Sequence, residues 1–532
     1  MIYRPAEPRS LWGFCTIEWQ GEFHIYYLED INADYDLLSW QKKHDHVGHA
    51  VSKDLVHWEA RPSLCVKGQP GEWNEMASGG AKTGCVVRHA DKFYMFFGAS
   101  KNGVQVVGVW ISDDLENWEQ HPDNPVLKAA GPYYHDESTK ERPGVSWRDP
   151  GISYCKEDDC YHMSISAMLK EPDNSHILGS VIGHVRSKDL IHWEHLPPFK
   201  TPDLLDRFYQ NEEAEMFEIA GKHYLIFDGG TTGGMRVNTP CRDDVRGSFY
   251  MMSSKLEGPY TRPDDDLLIG NDKGARCATT GRVITYQGTN IFVHFSIARR
   301  SALGTPKKLS VRPDGTLYLE YMPVIEKLET GVICGSIEDI PMTETRDSGQ
   351  WNRSDGELSC DVKNGGSVCK VAEDVSDFHL SCTIKGVSAD RAGVVVRICE
   401  DGDVGVLPRG VGIILDFDKQ RIFISDANSY PTTGWYCKEL DVCRMALSRE
   451  KDYQLRCFAR DEHLEVYLDN RWVFTTVIPA TGKNERIEQG NHFNWSYRWG
   501  PEVVSTGPVE LMVERGKAIF SDFRLASIEP LG

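Results

Sequence analysis

The chain has 532 residues, 79 acidic and 59 basic side chains, and a formal net charge of −20 at pH 7. This length exceeds a single domain of roughly 100 to 250 residues, so two or more domains are expected. The acidic balance argues against binding to nucleic acid or to an anionic membrane, and no apolar run reaches the roughly 20 residues of a membrane span. The start of the chain, Met1 to Pro5, lacks the features of a signal peptide, which predicts a cytoplasmic protein.

Cysteine usage and short motifs limit the chemistry further. The 15 cysteines are an odd number without a repeated short spacing, so free thiols in a reducing compartment are expected. Cys155 and Cys160 flank a short hairpin, and a metal site there would need two further ligands. The sequence also lacks zinc, P-loop and dinucleotide signatures, and it therefore predicts neither a metal nor a cofactor.

A repeated motif organises the first three-fifths of the chain. Ser-x-Asp-Leu-x-x-Trp-Glu occurs three times and is followed by one altered copy; the four copies span 52–59, 112–119, 187–194 and 253–260. Recurrence at an interval of about 60 to 75 residues is typical of stacked copies of one structural unit. We expect the Trp motif to have a packing role, and we interpret His57 and His192 inside it as structural residues.

Strand-like runs alternate with these copies. Their aromatic and β-branched residues alternate between turn signals, a pattern that predicts strands. The clearest runs are 22–27, 92–97, 161–166, 222–227 and 290–295. Five units of about 60 residues predict a five-bladed β-propeller over residues 1–330, in which the innermost strand of each blade lines a central channel.

The last third of the chain changes character and carries no Trp repeat. Alternating runs at 412–416, 420–424, 463–468 and 509–513 lack helical periodicity. Several short strands of this kind predict a β-sandwich over residues 355–532, with 331–354 as the linker. The predicted fold class is therefore all-β, a propeller followed by a C-terminal sandwich.

Charged residues mark the start of two predicted inner strands. Arg148 and Asp149 stand before a proline, which excludes a helix and places both charges at a strand end. Glu212, Glu213 and Glu215 open the next unit. Either group alone also fits a surface turn with a salt bridge or a solvated acidic face. Because inner strands converge on the channel, we expect the two groups to meet there, and paired carboxylates are what glycoside hydrolysis requires.

Three stretches together resemble glycoside hydrolase family 32, the invertase, inulinase and levanase group. They are Val-Gly-His-Ala-Val-Ser-Lys-Asp-Leu-Val-His-Trp-Glu at 47–59, Trp-Arg-Asp-Pro at 147–150 and Glu-Glu-Ala-Glu-Met-Phe-Glu-Ile at 212–219. That family joins a five-bladed propeller to a C-terminal β-sandwich. The resemblance implies that Asp149 stabilises the transition state, Arg148 holds substrate hydroxyls and Glu212 is the acid/base, with Glu213 in place of the family's cysteine.

The first inner strand departs from the family pattern. The family's nucleophile is an aspartate in a Trp-Met-Asn-Asp-Pro-Asn-Gly run, whereas counting back from the turn at Gly21 places Trp12 there. No aspartate precedes Asp30. The retaining mechanism needs two carboxyl groups about 5 Å apart, so it does not follow from this sequence.

Three alternatives remain open. A different carboxylate of the first two units reaches the centre, the candidates being Asp45, Glu18, Glu75 and Asp34. We rank Asp45, beside His46 and His49, above Glu18, and a base at roughly 6.5 to 9.5 Å would make the enzyme inverting. Alternatively the site binds sugar without hydrolysis, with Trp12 as a stacking platform, or it transfers a fructosyl group.

The presence of Arg148, Asp149 and Glu212 together favours an enzyme over a binding module, because binding alone needs no catalytic carboxylates. The sequence therefore predicts a glycoside hydrolase acting on a β-fructofuranoside or a short fructo-oligosaccharide. The substrate-binding candidates are Arg148, Trp12, Glu213 and His46. The expected partner is a small-molecule carbohydrate, and the sequence specifies neither the exact sugar nor the oligomeric state.

Overall fold

The computed structural model describes residues 1–34, 43–76, 80–138, 144–171, 179–202, 211–230, 246–271, 278–297, 300–342, 345–347, 349–399, 409–430, 434–477 and 506–531. They form two compact units. The propeller unit is Ile2–Leu319, and the sandwich unit comprises the described residues from Glu320 to Leu531 together with Met1. Within the described ranges, no helix has the length and apolar character to cross a membrane.

Four separate antiparallel sheets make up most of the propeller unit. The first contains β1 (Trp12–Trp19), β2 (Glu22–Glu29), β3 (His46–Ser52) and β4 (Glu59–Cys65). The second contains β5 (Lys82–His89), β6 (Lys92–Lys101), β7 (Val104–Ser112), β8 (Glu119–Gln120) and β9 (Leu127–Lys128). The third contains β10 (Trp147–Cys155), β11 (Cys160–Met168), β12 (Ser180–Ser187) and β13 (Glu194–Leu196). The fourth contains β14 (Glu212–Ile219), β15 (Lys222–Gly230), β16 (Arg246–Ser253) and β17 (Leu267–Asn271).

Further strands complete the propeller unit after the fourth sheet. They are β18 (Ala278–Tyr286), β19 (Thr289–Ser296), β20 (Ala302–Leu303), β21 (Lys307–Val311) and β22 (Leu317–Glu320). β18 pairs with β19, and both β20 and β21 pair with β19 on its other edge.

Adjacent sheets pack face to face because successive side chains of a strand point to opposite faces. Phe97 of β6 joins a core cluster with Tyr26 and Val47 of the first sheet. Its neighbour Phe96 joins a different cluster with Met163 of the third sheet. Ile182 of the third sheet packs in turn with residues of the fourth. The sheets therefore stack in chain order around the unit, as blades of a propeller do.

The repeated Trp motif forms a tight turn. In the first copy Ser52 Oγ accepts the N–H of Leu55 at 2.9 Å, and Asp54 Oδ1 accepts the N–H of His57 at 2.9 Å. Leu55 is buried with φ of 72°, and Trp58 Nε1 donates to its carbonyl at 3.0 Å. The same backbone bonds recur in the second and third copies. The motif therefore fixes the exit of the third strand of a sheet.

The sandwich unit consists of long antiparallel strands. They are β23 (Glu329–Cys334), β24 (Thr345–Asp347), β25 (Gln350–Ser354), β26 (Glu357–Val375), β27 (Phe378–Lys385), β28 (Arg391–Cys399), β29 (Arg409–Asp416), β30 (Arg421–Tyr430), β31 (Gly434–Arg444), β32 (Asp452–Arg460), β33 (His463–Leu468), β34 (Arg471–Val477) and β35 (Gly507–Ile528), with short 3-10 turns at Pro323–Leu328 and Ile337–Asp339.

Strand β35 connects the two layers of the sandwich. Its first part pairs with β28, which continues through β29 and β30 to β31, and its last part pairs with β27, which continues through β32 and β33 to β34. Val394 and Ile413 of one layer share a core cluster with Leu380, Leu455 and Val466 of the other. Two sheets with one apolar interior are a β-sandwich.

The predicted all-β class, with a propeller-like arrangement and a C-terminal sandwich, is confirmed. The sheet pairing gives four separate blade-like sheets rather than five. The stretch 331–354, predicted as a linker, contains most of β23 and all of β24 and β25. Its polar Gly, Thr and Ser residues suit an edge strand as well as a connection, which is why composition alone does not separate the two.

Asp54→Ala tests the role of the repeated turn. The substitution removes the acceptor for the His57 N–H, and loss of a comparable capping acceptor costs about 1 kcal/mol. We expect the free energy of unfolding of the propeller unit to fall by about that amount in urea titrations followed by tryptophan fluorescence. Asp54→Asn keeps an acceptor oxygen and is the matched control. Equal stability of Asp54→Ala and wild type would contradict the assigned role.

Candidate active site

The first strands of the sheets share one irregularity. Antiparallel pairing with the second strand is interrupted between Trp12 and Phe14, Lys82 and Gly84, Arg148 and Gly151, Glu212 and Glu215, and Thr279 and Arg282. Such a β-bulge leaves extra residues outside the ladder and redirects their side chains. The residues that follow the last paired position are Gly13, Thr83, Asp149, Glu213 and Thr280.

Backbone strain accompanies three of these bulges. Asp149, Glu213 and Thr280 have φ of 57°, 54° and 54°. Residues other than glycine pay roughly 1 to 3 kcal/mol for such a conformation, so it persists only where the surrounding structure imposes it. Its repetition at the same place in three strands shows that one backbone geometry presents all three side chains.

Four of the bulge residues lie deeper than the residues before them, whereas Thr279 and Thr280 are both buried, at 1% and 2% exposure. Asp149, Thr83 and Thr280 are at most 4% exposed, and the Glu213 side chain is 11% exposed. The Glu212 side chain, one position earlier, is 32% exposed. We call the paired residues before the bulge the mouth residues, namely Trp12, Lys82, Arg148, Glu212 and Thr279, and the bulge residues Gly13, Thr83, Asp149, Glu213 and Thr280 the floor residues.

Arg148 joins the two predicted catalytic carboxylates. Its Nη2 donates to Glu212 Oε1, and its Nε lies 3.3 Å from Asp149 Oδ2. Gln105 and Ser146 hold Nη1, with distances of 3.2 and 2.5 Å. The guanidinium is therefore fixed between β10 and β14, and it brings the carboxylates of two sheets to one point.

Glu213 lies across the floor from the first strand. Thr83 Oγ1 donates to Glu213 Oε1 at 2.7 Å. A Cβ atom built on Gly13 would lie 2.1 Å from Thr83 Oγ1 and 3.0 Å from Glu213 Oε1. The carboxylate and the hydroxyl therefore occupy the space into which a side chain of residue 13 would project.

Arg282 ties three first strands together beneath the floor. Its Nε donates to the Phe14 carbonyl at 2.9 Å, and its Nη1 donates to the Glu213 carbonyl at 2.8 Å. The same guanidinium lies 3.9 Å from Glu213 Oε2 and 3.8 Å from Glu215 Oε2. A buried cation therefore faces two buried carboxyl groups of β14.

Asp228 forms a second buried carboxylate centre on β15. It accepts the N–H of Thr280 at 2.7 Å, the hydroxyl of Ser248 at 2.6 Å and the hydroxyl of Thr279. These bonds hold the bulge of β18 against the fourth sheet. They also place a further negative charge beside Glu213.

Burial raises the pKa values of the two floor carboxylates, Asp149 and Glu213, to different extents. Burial raises the pKa of Asp149 to about 6, although Arg148 opposes the shift. Burial, together with the charge of Asp228, raises the pKa of Glu213 to about 8, and Arg282 opposes this shift. At neutral pH Asp149 is therefore mostly ionised while Glu213 mostly holds a proton. At the mouth, burial and the Arg148 charge lower the pKa of the Lys82 ammonium.

The structure brings Asp149, Glu212, Arg148 and Glu213 together, whereas the candidates for a third carboxylate on the first two sheets lie elsewhere. Glu18 Oε1 accepts the Gly21 N–H at the hairpin turn, at the opposite end of β1 from the bulge. Asp45 bonds the His46 ring at 2.7 Å beside β3. β3 is two strands outward from the channel, or about 10 Å at the usual strand spacing.

Three further predicted residues have other surroundings. Glu75 accepts the Gly71 N–H at 2.9 Å. Asp34 is exposed in the loop after β2. His49 is buried, bonds His24 at 3.0 Å and stacks on a tyrosine ring.

Trp12 is a mouth residue, so its position fits a sugar-stacking surface. Its ring is half-buried, lies parallel to His44 with centroids 6.5 Å apart, and meets Phe295 edge to face at 5.2 Å. Gly13 and Asp149 both follow the last paired residue before a bulge. The assignment of Trp12 to the place of the family's nucleophile stays a prediction.

Sequence reasoning also missed Lys82, Thr83, Asp228, Thr280 and Arg282. The available signal was the position at the start of each first strand, which Lys82-Thr83-Gly84 and Thr279-Thr280-Gly281 share with Arg148-Asp149. Asp228 lies on a second strand, and only tertiary pairing brings it to the floor.

One group of potential metal ligands lies outside this site. Cys155, Asp158 and His162 place ligand atoms within 4.8 Å of one another on the β10–β11 hairpin. His162 Nε2 already bonds Asp158 Oδ2 at 3.0 Å, and the Arg186 guanidinium lies 3.6 Å from the same oxygen. The Asp158 carboxylate therefore already has a hydrogen bond to His162 and a neighbouring cation, Arg186, without a metal ion.

Comparison with protein families adds an independent observation. The model of the glycosyl hydrolases family 32 N-terminal domain matches residues 13–228. The chain resembles glycosyl hydrolase family 32. The predicted resemblance is confirmed, and the matched segment runs from the bulge of β1 to Asp228 on β15, so it includes four of the five floor residues.

Individual proteins show the extent of the family 32 likeness. A β-fructofuranosidase (insoluble isoenzyme) of Arabidopsis thaliana is 24% identical over 184 residues, which cover 33% of this chain and 27% of that protein. The aligned part thus spans about a quarter of the relative's length. A sucrose:sucrose 1-fructosyltransferase of Festuca arundinacea is 23% identical over 266 residues, which cover 47% of this chain and 36% of that protein.

A solved structure extends the likeness in fold to the whole chain. Fructan 1-exohydrolase IIa from Cichorium intybus superposes with a TM-score of 0.62 at 12% sequence identity, covering 99% of this chain and 97% of that chain. At this identity the likeness concerns the fold alone and not the reaction.

Glu213→Gln tests the electrostatics of the floor. Because the folded-state pKa of about 8 lies above the ordinary value of 4.5, the folded protein retains a proton that the unfolded chain releases. Wild type therefore loses stability as the pH rises from about 4.5 to about 8, and a glutamine does not. At pH 8.5 the variant should unfold with a free energy at least about 1.4 kcal/mol above wild type, the equivalent of one pKa unit.

At pH 4 the two proteins should be equally stable, because Glu213 is then protonated in both states. Urea titrations at the two pH values provide the measurement. A stability difference that is the same at both pH values would contradict the assigned protonation.

Proposed function

We propose that this chain is a glycoside hydrolase that acts on a β-fructofuranoside, with a short fructo-oligosaccharide or sucrose-like sugar as the substrate class. The observation that carries the proposal is the Arg148 bridge, which places Asp149 and Glu212 side by side from two sheets. The resemblance to family 32 over residues 13–228 supports the reaction class. The likeness to fructofuranosidases supports the sugar.

The two carboxylates differ in depth, and their proposed roles follow from that difference. Glu212 is a mouth residue with its side chain 32% exposed, so it can reach the oxygen of a departing group and protonate it. Asp149 is a floor residue, mostly ionised at neutral pH, and stabilises the oxocarbenium-like charge that develops on the sugar. Arg148 contacts both carboxylates and is the proposed binding residue for sugar hydroxyls at the channel.

The first strands support a five-bladed arrangement around this site. β1 neighbours β5, β5 neighbours β10, β10 neighbours β14, β14 neighbours β18, and β18 neighbours β1. Arg282 of β18 donates to backbone carbonyls of both β1 and β14. We therefore assign the strands from Ala278 to Leu319 as the fifth blade, although their sheet is not a separate one.

A fructosyltransferase is the second candidate. The likeness to a sucrose:sucrose 1-fructosyltransferase over 47% of this chain favours it. The two activities share the channel carboxylates and differ in whether water or a sugar hydroxyl accepts the fructosyl group. Product analysis at high sucrose separates them, since a transferase forms trisaccharides and a hydrolase releases equal amounts of fructose and glucose.

Glu212→Gln tests the acid assignment. The amide keeps the shape of the side chain but holds no transferable proton, so kcat for sucrose or a fructo-trisaccharide should fall by about 100- to 10,000-fold. Binding of the same sugar, measured by calorimetry, should change much less. The matched control is Glu218→Gln, an exposed glutamate of the same strand, which should keep wild-type turnover.

Unchanged turnover in Glu212→Gln would exclude the acid role. A wild-type chain that binds these sugars but releases none of them would instead indicate a binding module, with Trp12 as its stacking surface.

A further inference from the structure

We propose that Glu213 is the carboxylate that attacks the anomeric carbon, and that it replaces from the fourth sheet the side chain that Gly13 lacks on the first. This proposal rests on the proposed function and assigns the second catalytic carboxylate within it. Glycoside hydrolysis by a pair of carboxyl groups needs a partner for Glu212 that faces the sugar.

The bulge register identifies where that partner is missing. Each of the five bulges leaves a floor residue outside the ladder, and only the first, Gly13, has no side chain. Thr83 and Thr280 carry hydroxyls, and Asp149 is held by Arg148 and by Ser166 Oγ at 3.3 Å. Glu213 is the remaining carboxylate among the floor residues.

The position of the Glu213 carboxylate fits this replacement. Its Oε1 lies 3.0 Å from the point that a Cβ atom of residue 13 would occupy. A longer side chain from β14 therefore places its carboxylate where a side chain from β1 would begin. Thr83 Oγ1 donates to Oε1 and fixes the rotation of the group.

The guanidinium nearest to the Glu213 carboxylate lies farther away than the one that contacts Asp149 and Glu212. The Arg282 guanidinium lies 3.9 Å from Oε2, a longer separation than that between Arg148 and either Asp149 or Glu212. Among the described residues Oε2 has no hydrogen-bonding partner in the geometry of this structure. The hydroxyls of Thr83 and Thr280 and a more distant cation contact Glu213, and a carboxylate without a close ion pair retains more of its nucleophilic character.

The chemical step is balanced with water as the only co-reactant. A carboxylate oxygen of Glu213 forms a bond to the anomeric carbon while the glycosidic C–O bond breaks, and the leaving oxygen keeps the electron pair and takes the proton of Glu212. Water then transfers a proton to Glu212 and bonds to the anomeric carbon. The bond to Glu213 breaks, and its electron pair returns to the carboxylate.

Protonation links this role to pH. Attack requires the ionised carboxylate, whereas burial and Asp228 raise the pKa of Glu213 to about 8, with Asp149 on β10 adding to the shift and Arg282 on β18 opposing it. For an aryl β-fructofuranoside, whose departure needs little protonation by Glu212, kcat/KM should therefore rise with pH toward about 8. Removal of the Glu213 carboxylate removes this rise.

Chemical rescue of Glu213→Ala provides the test. The substrate is an aryl β-fructofuranoside, whose leaving group needs little protonation. We expect kcat/KM to fall at least about 1,000-fold and sodium azide to restore it at least about 10-fold, because azide enters the space of the carboxylate. The product should be a fructosyl azide of inverted anomeric configuration, and the rescued rate should no longer rise toward pH 8.

Glu212→Ala is the matched comparison. The aryl leaving group needs little protonation, so Glu212→Ala should still cleave the aryl substrate. The kcat/KM values of Glu212→Ala and Glu213→Ala should therefore differ most on that substrate. Glu213→Gln keeps the oxygen that accepts the hydrogen bond of the Thr83 hydroxyl, and it serves as the control for misfolding. This variant should bind fructose as wild type does and remain inactive. Gly13→Ala should also reduce turnover, since its Cβ meets Thr83 Oγ1 at 2.1 Å.

Two different failures can be distinguished. If wild type is active and Glu213→Ala keeps more than about a tenth of its kcat/KM, or loses activity without azide rescue, Glu213 is not the nucleophile. If wild type cleaves neither the aryl fructoside nor sucrose while Glu213→Gln still binds fructose, the proposed function is wrong. The assignment of Glu213 as the nucleophile is then also excluded.

Discussion

A β-bulge at one register of every first strand is the constraint on which the site depends. Regular pairing would turn alternate side chains to the two faces of a sheet, and none would point along the channel. The bulge adds residues that leave the ladder, so Asp149, Glu213 and Thr280 turn toward a common floor. All three residues have left-handed backbone conformations, which are energetically unfavourable for residues other than glycine. The bulge of the first strand leaves Gly13 outside the ladder without a side chain, and the Glu213 carboxylate lies beside it.

Buried charge stabilises that floor. Arg282 donates to the carbonyls of Phe14 and Glu213 and faces the carboxyl groups of Glu213 and Glu215. A buried guanidinium is costly unless its donors are satisfied, and here backbone carbonyls from two neighbouring strands satisfy them. Burial raises the pKa of Glu215 to about 7 and that of Glu213 to about 8, so both carboxyl groups are partly protonated near neutral pH. The arrangement supports a site that separates a proton-bearing group from an ionised one.

Much of the architecture could be predicted from local patterns. The Trp repeat has the same hydrogen bonds in its three unaltered copies, so its recurrence marks equivalent places in successive sheets. The alternation of apolar residues in runs such as 92–97 predicts strands because it follows the two faces of a packed sheet. Arg148, Asp149 and Glu212 could be singled out because charged residues at the start of inner strands meet in a propeller.

The rest of the site depends on contacts that the sequence does not encode locally. The position of the Glu213 carboxylate beside Gly13 of the first strand is one such contact, which counting from the Gly21 turn cannot reveal. The length of the Glu213 side chain matters only because β14 lies across the channel from β1. Asp228 and Arg282 act through tertiary pairing with strands far away in the chain. Local patterns thus predict the scaffold, while the exchange of a carboxylate between sheets is visible only in three dimensions.

The floor formed by these bulges is the proposed place of the reaction with the sugar. A crystal structure of Glu212→Gln with bound sucrose or a fructo-trisaccharide would test this proposal. We expect the anomeric carbon of the fructose unit to lie within about 3.5 Å of a Glu213 oxygen, over Asp149, with its glycosidic oxygen toward residue 212. A sugar bound outside the channel, or one whose anomeric carbon lies away from both Asp149 and Glu213, would contradict the proposed site.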